Sequence, residues 1–319
     1  MHIPDGFLDP KTAVAGGVVA AVGLGIAIRQ VKRTFPSSRI PQMGLASAFV
    51  FAAQMLNFPV AGGTSGHLIG AVLVSVLLGP STAVIVMSSV LILQCLMFAD
   101  GGITALGANV FNMALVAPFA GYGAYRLIRG LLGKSEQIRF TAIAFASWLS
   151  TVIASIACAG QLAASGTARW VVVFPAMAGI HMLIGIGEAV ITTLVVAAVT
   201  KFSPEMISNL ENTQTRTGSR PLIGYGLVVA LGLVLFVAPF ASSWPDGLEK
   251  VAKTIGFSGA ASSAAVVPSP LADYGIPGIS STAVSTVLAG VIGTLVAFLL
   301  SYVLARLVTS GTSRAGKEV

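Results

Sequence analysis

Residues 171–200 read VVVFPAMAGIHMLIGIGEAVITTLVVAAVT, and the only ionisable side chains among them are His181 and Glu188. About 20 apolar residues in helical rise cross the hydrocarbon core of a bilayer. A stretch of this length and polarity therefore predicts a transmembrane helix. The same signal recurs on either side of it, in residues 13–28, 41–58, 67–78, 82–98, 108–125, 140–164, 222–241 and 280–305, for nine candidate segments in all. The run 67–78 is too short to cross unaided. It follows the Gly-rich loop 61–66 and reads as a re-entrant segment, which is tolerated at membrane depth where other helices shield its backbone. The expected fold is an all-α polytopic membrane protein, a seven-segment core followed by two C-terminal helices.

Composition agrees. Of the 319 residues 55% are hydrophobic and 9% charged, against about 25% charged in soluble domains, and the mean hydropathy is +0.91. A soluble body of this size would have to cover its surface with charges that the chain does not contain. No long polar stretch is present, which excludes a sizeable soluble catalytic or ATP-binding domain. The segment Gly130-Leu131-Leu132-Gly133-Lys134-Ser135 has two residues between its glycines where a P-loop needs four, so ATP hydrolysis must come from another chain.

The net charge of +7 is explained by orientation. With the N-terminus outside, the inner side receives Arg29, Lys32, Arg33, Arg39, Arg126, Arg129, Lys134, Arg139, Lys201, Arg216, Arg220, Arg306, Arg314 and Lys317, which is 14 of the 18 basic residues. Lys11, Arg169, Lys250 and Lys253 fall outside. This is the bias of the positive-inside rule, and it makes nucleic acid an unnecessary partner. Nine spans, N-terminus out and C-terminus in, in the cell (inner) membrane, is the consistent topology. The charges Arg29, Lys32 and Arg33 follow the first apolar run instead of preceding it, so that run reads as a retained helix and not a signal peptide, with Met1 expected as the mature N-terminus. Cys95 and Cys158 both sit within apolar runs, where a thiol behaves as a small hydrophobe.

A polar stretch, 201–220, containing Pro204, Asn209, Glu211 and Asn212, divides the chain into a domain of residues 1–210 and a module of residues 211–319. The last two helices of that module enclose an outer loop, 242–279, whose one patterned stretch is Pro245-Asp246-Gly247-Leu248-Glu249-Lys250.

Histidine occurs three times. His2 permits a chelate that does not depend on the fold. The Met1 amine and the His2 amide nitrogen close a five-membered ring on a metal, and that amide with the His2 imidazole Nδ1 closes a six-membered one. Ni(II) and Cu(II) favour such planar nitrogen ligation, whereas Zn(II) favours a tetrahedron. One equatorial position stays open, and His67, outside and in a Gly-rich loop, can fill it. The alternative is that His2 is incidental and His67 caps the third segment. His181 and Glu188, seven apart, share a helix face, as an inner proton relay or as structural hydrogen-bonding groups.

The opening Met1-His2-Ile3-Pro4-Asp5-Gly6-Phe7-Leu8, the loop Phe58-Pro59-Val60-Ala61-Gly62-Gly63-Thr64-Ser65-Gly66-His67-Leu68, the stretch Thr104-Ala105-Leu106-Gly107-Ala108-Asn109-Val110-Phe111-Asn112-Met113, and His181-Met182-Leu183-Ile184-Gly185-Ile186-Gly187-Glu188-Ala189 together resemble the CbiM/NikM family. These are the metal-binding S components of energy-coupling-factor (ECF) importers for nickel or cobalt. The Pro245 to Glu249 stretch resembles the PDGLE element of the small NikN-like nickel-importer subunit, here fused behind the first.

The resemblance implies that Met1, His2 and His67 ligate the transported Ni(II), or Co(II), and that a coupling membrane subunit and ABC-type ATPase subunits are the partners. Pro4-Asp5 stands where many members carry Met-Glu. Asn109, Asn112, Thr64 and Ser65, and more weakly Gln54 and Asn57, are candidates to hydrogen-bond the ligands, or else polar packing residues. Met43, Met55, Met97 and Met113 offer thioethers or fill the core. The stripe Ala13, Gly17, Ala21 and Gly25 suits close backbone approach within the subunit or beneath the coupling subunit. The readings that compete are a cobalt importer serving cobalamin synthesis, a proton-coupled permease using His181 and Glu188, and an intramembrane metalloenzyme, which needs an open metal position and a general base.

Overall fold

Asp9 starts the first helix by accepting hydrogen bonds from the Lys11 and Thr12 amides, at 3.2 and 3.1 Å, and Pro10 supplies a residue with no N–H to satisfy. The computed structural model describes residues 1–202, 220–262 and 266–310. Arg216, Arg314, Lys317 and the expected boundary at residue 210 lie outside them. The helices are α1 (Pro10–Thr34), α2 (Ile40–Gln54), α3 (Ala71–Leu78), α4 (Pro80–Phe98), α5 (Leu106–Asn109), α6 (Ala117–Leu132), α7 (Glu136–Ala164), α8 (Trp170–Phe202), α9 (Arg220–Phe236), α10 (Gly247–Ile255) and α11 (Thr282–Ser310). A π-helical turn, Val110–Val116, joins α5 to α6 without a break. An antiparallel hairpin, β1 (Phe58–Val60) and β2 (Thr64–Gly66), pairs Phe58 with Gly66 and Val60 with Thr64. The fold is thus almost wholly helical.

Among the described residues six helices are long and apolar enough to cross a membrane: α1, α4, α7, α8, the stretch Ile223–Phe240 containing α9, and α11. Of the other three expected segments, two take shorter helical forms. The segment 41–58 is helical only to Gln54, because Asn57 and Phe58 leave it for the hairpin. At about 1.5 Å per residue its 15 residues reach only about 22 Å. It survives by being enclosed: α9, α11 and α4 pack on it, Ser47 Oγ bonds Ser301 Oγ at 2.5 Å, and Gly44 lies where any Cβ would meet Phe298 of α11. The C-terminal helices therefore substitute for lipid around a short helix of the core.

The segment 67–78 is helical over Ala71–Leu78 alone, turns at Gly79 (φ 91°) and continues directly into α4. Arg39 secures the turn by donating from Nη2 to Leu77 O at 3.0 Å. The segment 108–125 lies within the continuous stretch that α5, the π turn and α6 form.

Hydrogen bonds and an ion pair gather the N-terminal residues, the hairpin, residues 100–104 and the loop between α9 and α11 at one end of the bundle. The opposite end carries Arg29, Lys32, Arg33, Arg39, Arg126, Arg129, Lys134, Arg139 and Lys201. At the first end the N-terminal octet is threaded inward, with Met1, Ile3 and Phe7 all buried. The small-residue stripe of α1 divides: a Cβ on Gly107 would collide with Gly17, whereas Ala21 and Gly25 are exposed and a Cβ on Gly25 would meet nothing within 4 Å.

Candidate metal centre

The N-terminal residues are held by backbone pairing supplied from elsewhere in the bundle. Asn109 accepts from Ile3 N at 2.8 Å through Oδ1 and donates to Ile3 O at 3.0 Å through Nδ2. Gly102 N also donates to Ile3 O, at 2.9 Å. Asp5 accepts from the Thr104 amide and hydroxyl at 2.8 and 2.6 Å, and its own carbonyl accepts from Ser262 N at 2.9 Å. Gly101 and Gly102 leave the space that His2 and Asp5 fill. Asp5 is thus a tether of the N-terminal segment, tied to the 102–104 turn.

This tether places the Met1 amine 2.8 Å from His67 Nε2. His67 Nδ1 lies 3.1 Å from Leu68 O. A carbonyl only accepts, so Nδ1 carries the hydrogen and Nε2 presents its lone pair. Burial, and then the nearby Met1 ammonium and His2, push the His67 imidazole down to about 3, so it is neutral. Two nitrogen donors each about 2 Å from a metal and at right angles to one another stand about 2.8 Å apart. The Met1 and His67 nitrogens have the spacing of adjacent corners of a planar site.

Sequence reasoning did not assign roles to the two carboxylates that flank these nitrogens. Asp246 Oδ2 accepts from the Met1 amine at 2.8 Å, while its Oδ1 caps α10 by accepting from Glu249 N at 2.8 Å. Asp100 Oδ1 lies 3.0 Å from His2 Nδ1, and Asp100 Oδ2 accepts from the Tyr274 hydroxyl at 2.6 Å. Burial alone would push Asp246 upward, but the Met1 ammonium overcomes it and holds the carboxyl below the usual range. His2, with help from Tyr274, does the same for Asp100 against the same opposing burial. Asp246 and Tyr274 both belong to the C-terminal module. The PDGLE signal pointed to the segment but not to its acid as a partner of Met1.

The chelate expected from the sequence uses His2 Nδ1, and here that atom faces Asp100. His2 Nε2 is buried without a hydrogen-bond partner, and the ring stacks on His67 with centroids 5.1 Å apart. Bringing Nδ1 into a plane with Met1 and His67 requires it to leave Asp100. The physical reason for the difference is the carboxylate itself, which competes for the imidazole.

The remaining expected residues divide. Thr64 and Ser65 touch no ligand nitrogen; they fasten the C-terminal loop, Thr64 Oγ1 and Ser65 N donating to Pro245 O at 3.0 and 2.8 Å and Ser65 Oγ to Trp244 O at 2.7 Å. Asn112 bonds Gln161 Oε1 at 2.7 Å, away from Met1. Gln54 Nε2 donates to Ile69 O at 2.8 Å and so braces the loop after His67, and Asn57 O accepts from Ser242 N. Met43 and Met113 are fully buried core residues.

His181 and Glu188 do not bond one another. The Glu188 carboxylate accepts from Ile69 N and Gly70 N at 2.6 and 2.9 Å, clamping the loop that carries His67, and His181 Nδ1 donates to Met177 O at 2.8 Å. His181 lines a cavity of about 10 Å³ together with Met1, His67, Asp246 and Gly247. A larger cavity of about 270 Å³ reaches His2 and His67 and is bordered by Asp100, Asp246, Glu249 and Asp273.

Residues 2–206 match the CbiM family, described as the cobalt uptake substrate-specific transmembrane region, and residues 220–310 match the PDGLE domain. A protein of Archaeoglobus fulgidus named as a fused nickel transport protein, NikMN, is 35% identical over 309 residues, 96% of this chain and 98% of its own. The fused nickel transport protein NikMN of Rhodobacter capsulatus is 30% identical over 299 residues, 87% and 84% of the two chains. The crystal structure of a transition metal transporter is 37% identical, with a TM-score of 0.58 over 70% of this chain and 99% of that one.

Proposed function

This chain belongs to the CbiM family of cobalt-uptake transmembrane proteins, with a PDGLE domain behind the CbiM region, and from that premise we propose that it is the substrate-binding membrane subunit of an ATP-driven ECF importer of Ni(II). In this reading residues 1–210 bind the ion, residues 211–319 form the PDGLE module, and the end holding Met1 faces outward. Ligation is by the Met1 amine, the His2 amide nitrogen and imidazole Nδ1, and His67 Nε2. The observation that carries the reading is the 2.8 Å approach of the Met1 amine to His67 Nε2, with the hydrogen of that imidazole on the other nitrogen.

Electrostatics supports a cation as cargo. A divalent ion with one deprotonated amide keeps a net charge of +1, and Asp246 and Asp100 stand beside it to balance that charge. Four carboxylates border the larger cavity through which a hydrated cation approaches. Ni(II) suits planar nitrogen ligation that includes an ionised amide, and the names of the fused relatives favour nickel over cobalt. The energy comes from separate ATPase subunits through a coupling membrane subunit.

The test is elemental analysis of folded, purified protein. The parental chain is expected to retain one nickel, and His67→Ala to lose it through a gentle desalting step; retention by His67→Ala contradicts the ligand set.

A further inference from the structure

His181 is a buried imidazole in a membrane-spanning helix with one nitrogen left over. Its exposure is 2%, and among the described residues its one hydrogen bond runs from Nδ1 to Met177 O, four residues back on its own helix. A carbonyl cannot donate, so Nδ1 carries the hydrogen and Nε2 is left with a free lone pair. His181 lines the cavity shared with Met1, His67 and Asp246. The cavity has room for about one water-sized occupant, and its wall already supplies two of the nitrogens assigned to the ion.

The neighbouring module is shaped around this ring. A Cβ on Gly247 would stand 2.9 Å from His181 Nε2 and 2.8 Å from Cε1, so any side chain there would cover the lone pair. Glycine keeps it accessible, while the adjacent Asp246 reaches the Met1 amine. A purely structural histidine needs neither a bare nitrogen nor a cleared approach to it.

We propose that His181 Nε2 is a metal ligand of the transport step, receiving the ion as it leaves the Met1–His2–His67 nitrogens for the interior of the bundle. The proposal rests on the four-nitrogen reading above. In the exchange, the bond from the ion to the His2 amide nitrogen breaks and the bond to His181 Nε2 forms. The amide nitrogen regains its proton from a cavity water, and the resulting hydroxide leaves with the ion. Imidazole is suited to the task because it binds Ni(II) well as a neutral donor, which leaves the ion's charge to drive its onward movement.

The experiment compares His181→Asn, His181→Cys and His67→Ala in the full chain with its coupling and ATPase partners, reading bound nickel on the purified protein and nickel uptake in cells. Asn retains an N–H donor for Met177 O and removes the imidazole. His181→Asn is expected to bind one nickel and to take it up at least tenfold more slowly. His181→Cys, a small side chain that the site accommodates, places a soft thiolate there and shifts uptake in competition from Ni(II) toward Zn(II); a merely structural histidine does not change metal preference. Uptake by folded His181→Asn at the parental rate overturns the proposal, and so does unchanged metal preference in His181→Cys, the deciding result should the Asn variant fail to fold. Nickel retained by His67→Ala instead overturns the four-nitrogen reading, so the two failures are told apart.

Discussion

Asp246 holds the Met1 amine at 2.8 Å across 245 residues of sequence, tying the start of the CbiM region to the PDGLE module at the candidate metal centre. The Met1 side chain is 2% exposed and the Asp246 side chain 18%. A pair so enclosed becomes a liability when one partner is removed, because the other charge stays behind without compensation.

Replacing Asp246 by Asn keeps the cap on α10 and deletes the charge. The expected loss is about 1–3 kcal/mol of stability, read as a lower thermal midpoint in detergent, together with weaker nickel binding in a chelator competition. Unchanged affinity would mean that the carboxylate does not balance the bound ion.

Glu188 clamps the loop behind His67 by accepting from the Ile69 and Gly70 amides. Glu188→Gln retains a single accepting oxygen and turns an N–H toward a donor. Groups that orient metal ligands in this way commonly change affinity by about 10–100-fold. Glu188→Gln is therefore expected to weaken nickel binding within that range while one nickel per chain is still reached at saturation. A proton relay predicts the opposite pattern, unaltered affinity with altered pH dependence of uptake.

The pH dependence of binding follows from which groups must lose protons. The Met1 ammonium and the His2 amide each release one on ligation. His67, held down to about 3, is already neutral near pH 7 and releases none. Binding should strengthen as pH rises, because protons leave on ligation, and calorimetry in buffers of different ionisation enthalpy measures that release. Binding that does not strengthen as pH rises would contradict ligation through an ionised amide.

The sequence made the helical class legible because residues 171–200 and their counterparts are long and nearly free of charge, and it made His2 legible because its chelate depends only on chain position. Asp100 and Asp246 were hidden for a physical reason. Each acquires its role from a partner, His2 or Met1, that only the fold brings near. Glu188 showed its depth but not its use, since backbone amides as partners leave no mark in a sequence. The segment 41–58 was read as long enough to span because its apolar run continues past Gln54, where the backbone turns away into the hairpin.

In the proposed ligand set the free amine of Met1 is a metal ligand. An extension of one or more residues before Met1 converts that amine to an amide and moves the imidazole out of second position. The direct measurement is nickel accumulation by cells producing such an extended chain, shown by mass analysis to remain unclipped and membrane-inserted, beside a C-terminally tagged control. Accumulation is expected to fall to background in the extended chain and to persist in the control. Accumulation at the control rate with the extension intact would contradict the account.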